Sequence, residues 1–386
     1  MASYQRTQAT RSPQNTFTFS TNGVAMKLLV ALMNMAGIGG MENVLAAWDS
    51  SVPDHVSITW LLSKPRKTKE ADFYDKLHGD KYYWLDPTMD IIERSRVTIN
   101  IIDKVHPDVL IAPTGTYVGS HVSSVVIAKV ARAIPTIIWL HGKPSLGTAL
   151  SSAYMLKHAD AIWGCGQTVI EDANHFAPNV PKLHITNPIL NRCDKEAAIG
   201  DKREDHNEPT VLYCGRLDAD QKGVDLLIEA MLKAKQKPRL AIIGGFTTES
   251  QEVRHRVMTL INELSKAASV LQADWSDNPW NLASALGVDW TIIPSIDEGE
   301  PLVARESLAC GIPLIAIHGA TEIALTGKEN GIQFTTYAEL TELLERVATN
   351  RLAKPKIQIQ SDTMTPQHMW TECLESIRLL LADGLS

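Results

Sequence analysis

Pro294-Ser-Ile-Asp-Glu-Gly-Glu-Pro-Leu-Val-Ala-Arg-Glu-Ser-Leu-Ala-Cys-Gly-Ile-Pro-Leu-Ile-Ala-Ile317 decides how this chain folds. The apolar run Trp290–Pro294 reads as a buried strand, and a polar turn follows it. Pro301 suits the first position of a helix, where its missing N–H costs nothing. Gly311 caps that helix, Pro313 prevents its continuation, and Leu314–Ile317 is the next buried strand. Strand, loop, short helix and strand together predict a right-handed βαβ crossover in a parallel sheet. Glu298 then lies in the loop at the carboxyl end of a strand, and Glu306 about two turns into the helix. Both are placed to face a ligand at the helix N-terminus, where free N–H groups suit phosphate.

The same grammar extends outward in both directions. Before the stretch, Thr210–Cys214, Arg239–Ile243 and Ser269–Leu271 read as strands. In the first half, Leu28–Met33, Val56–Leu61, Val109–Ala112, Thr136–Leu140 and Ala161–Gly164 are strands, separated by helical patterns such as Glu42–Ala47, Ile91–Val105 and Val122–Ala133. Such alternation predicts a doubly wound α/β sheet in each half, that is, two Rossmann-like domains facing a central cleft. Ligands in such sheets bind beyond the carboxyl ends of the strands. We assign residues 1–25, rich in Ser, Thr, Gln and Asn and without hydrophobic periodicity, to a disordered extension. Residues 26–190 form the first domain, 191–366 the second, and 367–386 a C-terminal amphipathic helix. Met26 is a candidate native start, with the residues before it an extension.

Composition narrows the function. The 386 residues carry 44% hydrophobic and 21% charged side chains, ordinary for a globular protein. A net charge of −7 argues against general nucleic-acid binding. Five scattered cysteines (Cys165, Cys193, Cys214, Cys310, Cys373) lack metal-ligand spacing and read as reduced thiols of a cytoplasmic protein. No apolar run approaches the length that spans a bilayer.

Four further motifs sit at expected strand ends. Ala36-Gly-Ile-Gly-Gly-Met-Glu42 follows the first strand; its glycines allow close backbone approach to a ligand, but it does not meet the dinucleotide pattern. Glu42 reads as a loop organiser. Tyr213-Cys-Gly-Arg-Leu-Asp-Ala-Asp-Gln-Lys-Gly223 puts Arg216 and Lys222 where a diphosphate's growing charge is met as it departs. Ile138-Trp-Leu-His-Gly142 sets His141 at a strand end, either satisfied by backbone or serving a site. Ile242-Ile-Gly-Gly245 is a tight turn. Trp275 to Trp280 and Leu282 read equally as core or as a border of the nucleotide base, and Thr321-Glu322 as structural support. The basic and aromatic stretch Lys64–Trp84 reads as a solvated face, with contact to an anionic membrane surface as the alternative.

Together these motifs resemble the retaining glycosyltransferases of family 4, which have the GT-B fold. The family pattern is Pro-Ser, Glu-Gly-Phe-Gly, four residues, a second Glu, and Gly-x-Pro. Here Gly299-Glu300-Pro301 replaces Gly-Phe-Gly, while the Glu298-to-Glu306 spacing is intact. The resemblance covers nearly the whole chain after Met26 and is strongest over 211–334. It implies a hexose transfer from a nucleoside-diphosphate sugar, UDP-linked by family frequency, to a glycan or lipid-linked acceptor in surface-polysaccharide synthesis. It further implies that neither cofactor nor metal is needed, and that the protein is cytoplasmic, with peripheral contact at the inner membrane. Arg216 and Lys222 would bind the diphosphate, aided by the helix start at Leu302 and Val303. Glu306 would hold the ribose, and Glu298 and His141 would lie by the transferred sugar. Gly39, Gly40 and Gly244 would line the donor site, and Glu300 would bear on which sugar fits. A non-hydrolysing UDP-sugar epimerase of the same fold, or a non-catalytic sugar-nucleotide-binding subunit, remains an alternative.

Overall fold

The structure is a computed structural model. It describes residues 26–33, 39–64, 73–79, 81–115, 120–146, 153–193, 208–247, 250–296, 298–319, 330–358 and 364–383. The extension 1–25, the glycine-loop residues 36–38, most of the charged stretch 194–209 and Thr321-Glu322 lie outside the described residues.

Two parallel sheets carry the chain. The first holds β1 (Met26–Leu32), β2 (Val56–Ser63), β3 (Lys81–Leu85), β4 (Val109–Thr114), β5 (Thr136–Leu140), β6 (Ala161–Gly164) and β7 (Lys182–His184), in the order β3-β2-β1-β4-β5-β6-β7. Among the described residues, helices α1 (Gly40–Asp49), α2 (Ile91–Val105), α3 (Ser120–Arg132) and α4 (Gln167–Phe176) lie against it. The second sheet holds β8 (Thr210–Cys214), β9 (Arg239–Ile243), β10 (Val270–Ala273), β11 (Trp290–Ile293), β12 (Leu314–Ile317) and β13 (Gly331–Phe334), in the order β10-β9-β8-β11-β12-β13. Its helices are α5 (Val224–Lys233), α6 (Gln251–Leu264), α7 (Pro279–Ala285), α8 (Leu302–Ala309) and α9 (Tyr337–Ala348).

Burial explains the strand composition. Leu28 to Leu32 of β1 and Ile137 to Leu140 of β5 are fully buried, because helices cover both faces of the sheet. On one face Ile101 and Ile102 of α2, Val122 and Val125 of α3 and Val169 of α4 form the core. On the other, Trp48 of α1 meets Trp139 and Trp163. Helix α2 starts where its sequence directs: Asp90 accepts from the Glu93 N–H at 2.8 Å while the Glu93 carboxylate accepts from the Asp90 N–H at 3.1 Å.

The last helix, α10 (Pro366–Asp383), belongs to the first sheet's core although the chain reaches it from the second. Trp370 stacks on Trp48 with ring centroids 4.2 Å apart and donates to the Trp48 carbonyl at 2.6 Å. Trp163 donates to Ser376 Oγ at 2.8 Å. The chain therefore crosses between the sheets twice.

Three strands escape the sequence reading. The stretch expected to be a solvated face contains β3, an edge strand that pairs with β2 from Thr59–Lys81 to Ser63–Leu85. Tyr83 and Leu85 turn onto the core, whereas Tyr82 and Trp84 stay exposed, and that two-sidedness blurred the signal. β7 and β13 are three- and four-residue strands, too short for periodicity to register. Pro301 stands one position before α8 rather than inside it, with ψ of 118°. Gly311 does take the left-handed conformation that ends the helix (φ 73°).

Candidate active site at the sheet switch points

In each sheet the strand order reverses once, between β8 and β11 in the second and between β1 and β4 in the first. Loops leaving neighbouring strands at such a point diverge and open a crevice. Arg216 and Lys222 follow β8, and Glu298 follows β11, so the switch point alone makes them neighbours.

Glycine holds those two loops together. Gly223, with φ of 62°, lies where an added Cβ would sit 2.5 Å from the Pro294 carbonyl oxygen. The Ile296 N–H donates to the Gln221 carbonyl at 2.9 Å. Lys222 Nζ thereby reaches Glu298 Oε1 at 2.5 Å. Arg216 is oriented by Gln221 Oε1 (2.8 Å from Nη2) and Asp218 Oδ2 (3.3 Å from Nη1), and Tyr213 OH donates to its carbonyl. Gly244 closes the floor: with φ of 136°, a Cβ there would lie 2.0 Å from the Gly215 carbonyl oxygen.

The first domain supplies the opposite wall. Gly39 and Gly40 begin α1, and Gly40 faces Leu302 at the start of α8, 3.7 Å from where its Cβ would be. Leu302 packs on the first domain's core, whereas Val303 packs within the second. These are the first two positions of α8, whose N–H groups lack intrahelical acceptors. Glu42 is buried, accepts from the Gly39 N–H and its own, and feels the positive charge of Arg216 across the cleft. Burial dominates, however, and pushes its carboxyl up to about 7.

His141 ends β5 with its ring against Trp139, centroids 4.8 Å apart. Its Nε2 is buried and has no hydrogen-bond partner among the described residues. Burial pulls the imidazole down to about 3, so it is neutral at physiological pH and suited to hydrogen bonding rather than to carrying charge.

Two expected site residues are engaged elsewhere. Glu306 Oε2 accepts from Trp280 Nε1 at 2.8 Å, and Oε1 accepts from the Asn191 N–H at 3.1 Å and Nδ2 at 3.2 Å. A ribose would have to take over those donors. Burial raises the Glu306 carboxyl, and the Trp280 and Asn191 bonds oppose that rise. Glu300, expected to bear on which sugar fits, is engaged as well. Its carboxylate is buried against the Arg305 guanidinium and accepts from the Asn187 N–H at 3.2 Å. The reason is Arg305, five positions on, which gives a buried carboxylate its counter-charge. Nothing in the sequence singled out Arg305, Asn187, Asn191 or Gln221: Arg305 and Gln221 meet partners five positions away, whereas Asn187 and Asn191 meet theirs more than a hundred positions away. Trp275 is exposed beside Gly245, and Trp280 is fully buried.

Among the described residues no group of three or more His, Cys, Asp or Glu side chains is placed to hold a metal ion, and no helix is long and apolar enough to cross a membrane.

Residues 194–361 match the family described as Glycosyl transferases group 1. The D-inositol 3-phosphate glycosyltransferase of Segniliparus rotundus is 30% identical over 180 residues, 42% of this chain and 38% of that protein. The chain thus aligns with well under half the length of that curated relative. Over the whole fold, the apo lipopolysaccharide outer core galactosyltransferase WaaB superposes with a TM-score of 0.68 at 17% identity, covering 92% of this chain and 99% of that one. HepE of Anabaena, in complex with UDP, superposes with a TM-score of 0.67 at 15% identity, covering 93% and 99%. At such identities the likeness is one of fold. Two doubly wound domains and a cleft at their switch points lead to one assignment: the chain has the GT-B fold, and residues 194–361 of its second domain match the glycosyl transferases group 1.

Proposed function

We propose that this protein is a retaining glycosyltransferase that takes a hexose from a nucleoside-diphosphate sugar, UDP-linked, and delivers it to a glycan or lipid-linked acceptor. The observation that carries the reading is the Lys222–Glu298 pair at the β8–β11 switch point, with Arg216 on the same loop as Lys222, Glu42 within reach of the Arg216 charge and the His141 carbonyl against Gly299. Two cations at the carboxyl ends of parallel strands suit a diphosphate. HepE complexes with UDP and UDP-glucose, on the same fold, favour that donor class.

In the free protein the two groups neutralise each other. An arriving diphosphate recruits Lys222 and Arg216, and Glu298 is released to face the positive charge that develops at the anomeric carbon. The α8 start at Leu302 and Val303 adds N–H donors to the phosphates. His141, neutral and with an Nε2 that has no partner among the described residues, donates to or accepts from a sugar hydroxyl. Leaving-group charge is met by side chains and backbone, so we assign no metal to the step. Attack from the departing phosphate's own face would retain the anomeric configuration.

A panel of nucleotides and nucleotide sugars, read by thermal shift, tests donor binding. A true donor at a hundredfold excess over its Kd stabilises by about 2.7 kcal/mol. No shift with any of them would sink the reading. Transfer assays with sugar acceptors and inositol phosphates then test chemistry, in which Glu298→Ala must lose activity that the parent protein has.

A further inference from the structure

Both chain crossings meet at one buried ion pair. The outward crossing, residues 185–193, leaves β7, and the return crossing brings Met364 to the start of α10. The Ile189 N–H donates to the Met364 carbonyl at 3.0 Å, so the crossings are tied to each other. Glu300 and Arg305 are tied to both. Asn187 donates its N–H to Glu300 Oε2 at 3.2 Å and its Nδ2 to the Glu300 carbonyl at 3.4 Å. His184 Nε2, at the end of β7, lies 4.0 Å from Glu300 Oε1. On the other side, Arg305 Nη1 contacts Met364 Sδ at 2.9 Å. The side chains of Glu300 and Arg305 are only 2% and 5% exposed.

The loop that carries Glu300 is pressed into the first domain. A Cβ on Gly299 would lie 2.6 Å from the His141 carbonyl oxygen and 3.0 Å from Cys165 Sγ, and one on Gly166 would lie 2.5 Å from the Gly299 carbonyl oxygen. The contact is therefore backbone against backbone, and Glu298 sits one residue away from it. Two buried atoms here, Arg305 Nε and Asn187 Oδ1, find no hydrogen-bond partner among the described residues. The junction thus ties the Glu298 loop to both crossings through one buried ion pair.

We propose that Glu300 and Arg305 are positioning residues: their ion pair braces the root of the cleft, joins the Glu298 loop to both crossings and sets how readily the two domains part. The brace stands whether or not the cleft transfers sugar, and its test needs no donor.

Hydrogen–deuterium exchange on the full chain, without nucleotide, reads it through peptides spanning 185–193. Arg305→Met leaves the Glu300 carboxylate buried without its counter-charge, and exchange across 185–193 rises about tenfold or more while β8 and β9 hold their protection. The double variant E300Q/R305M removes both charges and returns that segment toward the parent rate. Unchanged exchange in R305M overturns the proposal. So does a rise shared equally by β8 and β9, which is loss of stability alone, or a double variant no better protected than the single. Should R305M fail to fold, Glu300→Gln, equal in size, takes its place: a rise confined to 185–193 supports the brace, and parent-level exchange refutes it.

Discussion

Replacing Glu42 by glutamine should change how stability depends on pH, with a sign and size that the structure fixes. In the unfolded chain this carboxyl titrates near 4.5, and in the folded protein burial raises it to about 7. Between those values the folded protein holds a proton that the unfolded chain has released. Folding is then favoured at low pH, and stability falls as pH rises from about 4.5 to about 7. The full gap of 2.5 between the two values (7 − 4.5) corresponds to about 3 kcal/mol lost above pH 7. Arg216, across the cleft, and the Gly39 N–H hold the value down but do not reverse the rise. A glutamine amide in this place would still accept from the Gly39 N–H and would never ionise.

The assay is urea unfolding of both proteins at pH 5 and pH 8. Asp49, Glu300 and Glu306, whose carboxyls burial also raises, are present in both and cancel in the difference. Integrating proton uptake over that range, the stability of Glu42→Gln relative to the parent should rise by about 2.5 kcal/mol. A difference that stays within about 0.5 kcal/mol from pH 5 to pH 8, close to the error of linear extrapolation, refutes the argument that Glu42 is buried uncompensated.

Other perturbations follow the same logic. Gly244→Ala forces a Cβ to 2.0 Å from a backbone oxygen at a φ of 136°, so neither side yields; a loss of about 3 kcal/mol or more is expected, and an unchanged melting curve would contradict the geometry. Trp370→Ala removes the ring stacked on Trp48 and its hydrogen bond, which should cost about 3–5 kcal/mol and free α10, seen as lower thermal stability and faster proteolysis of the C-terminus. On the proposed function, Lys222→Met weakens UDP binding by about tenfold to a hundredfold in titration calorimetry, and equal affinity would remove Lys222 from the donor site.

Much of the fold was legible because parallel strands buried on both faces are continuous apolar runs. β5, β6, β8, β9 and β12 and helix α2 fall on the boundaries read from sequence. The Pro and Gly punctuation around α8 fixed its ends within one residue. Strand β3 was hidden because an edge strand is only half covered, and its mixture of Lys, Tyr and Trp resembles a solvated surface. In the site, Arg216, Lys222 and Glu298 were legible as cations and an acid at strand ends, and the structure brings them together.

By itself, then, the sequence determined the local alternation of strand and helix, and with it which loops emerge at the carboxyl ends. Those are short-range consequences of apolar periodicity and backbone restriction. Only the tertiary structure decided where the carboxylates spend their bonding. Glu306 turns to Trp280 and Asn191, 26 and 115 positions away, and Glu300 to Asn187, 113 positions away. A buried charge takes whatever donor the packing brings within reach, and that choice is invisible until the two sheets and both crossings are in place.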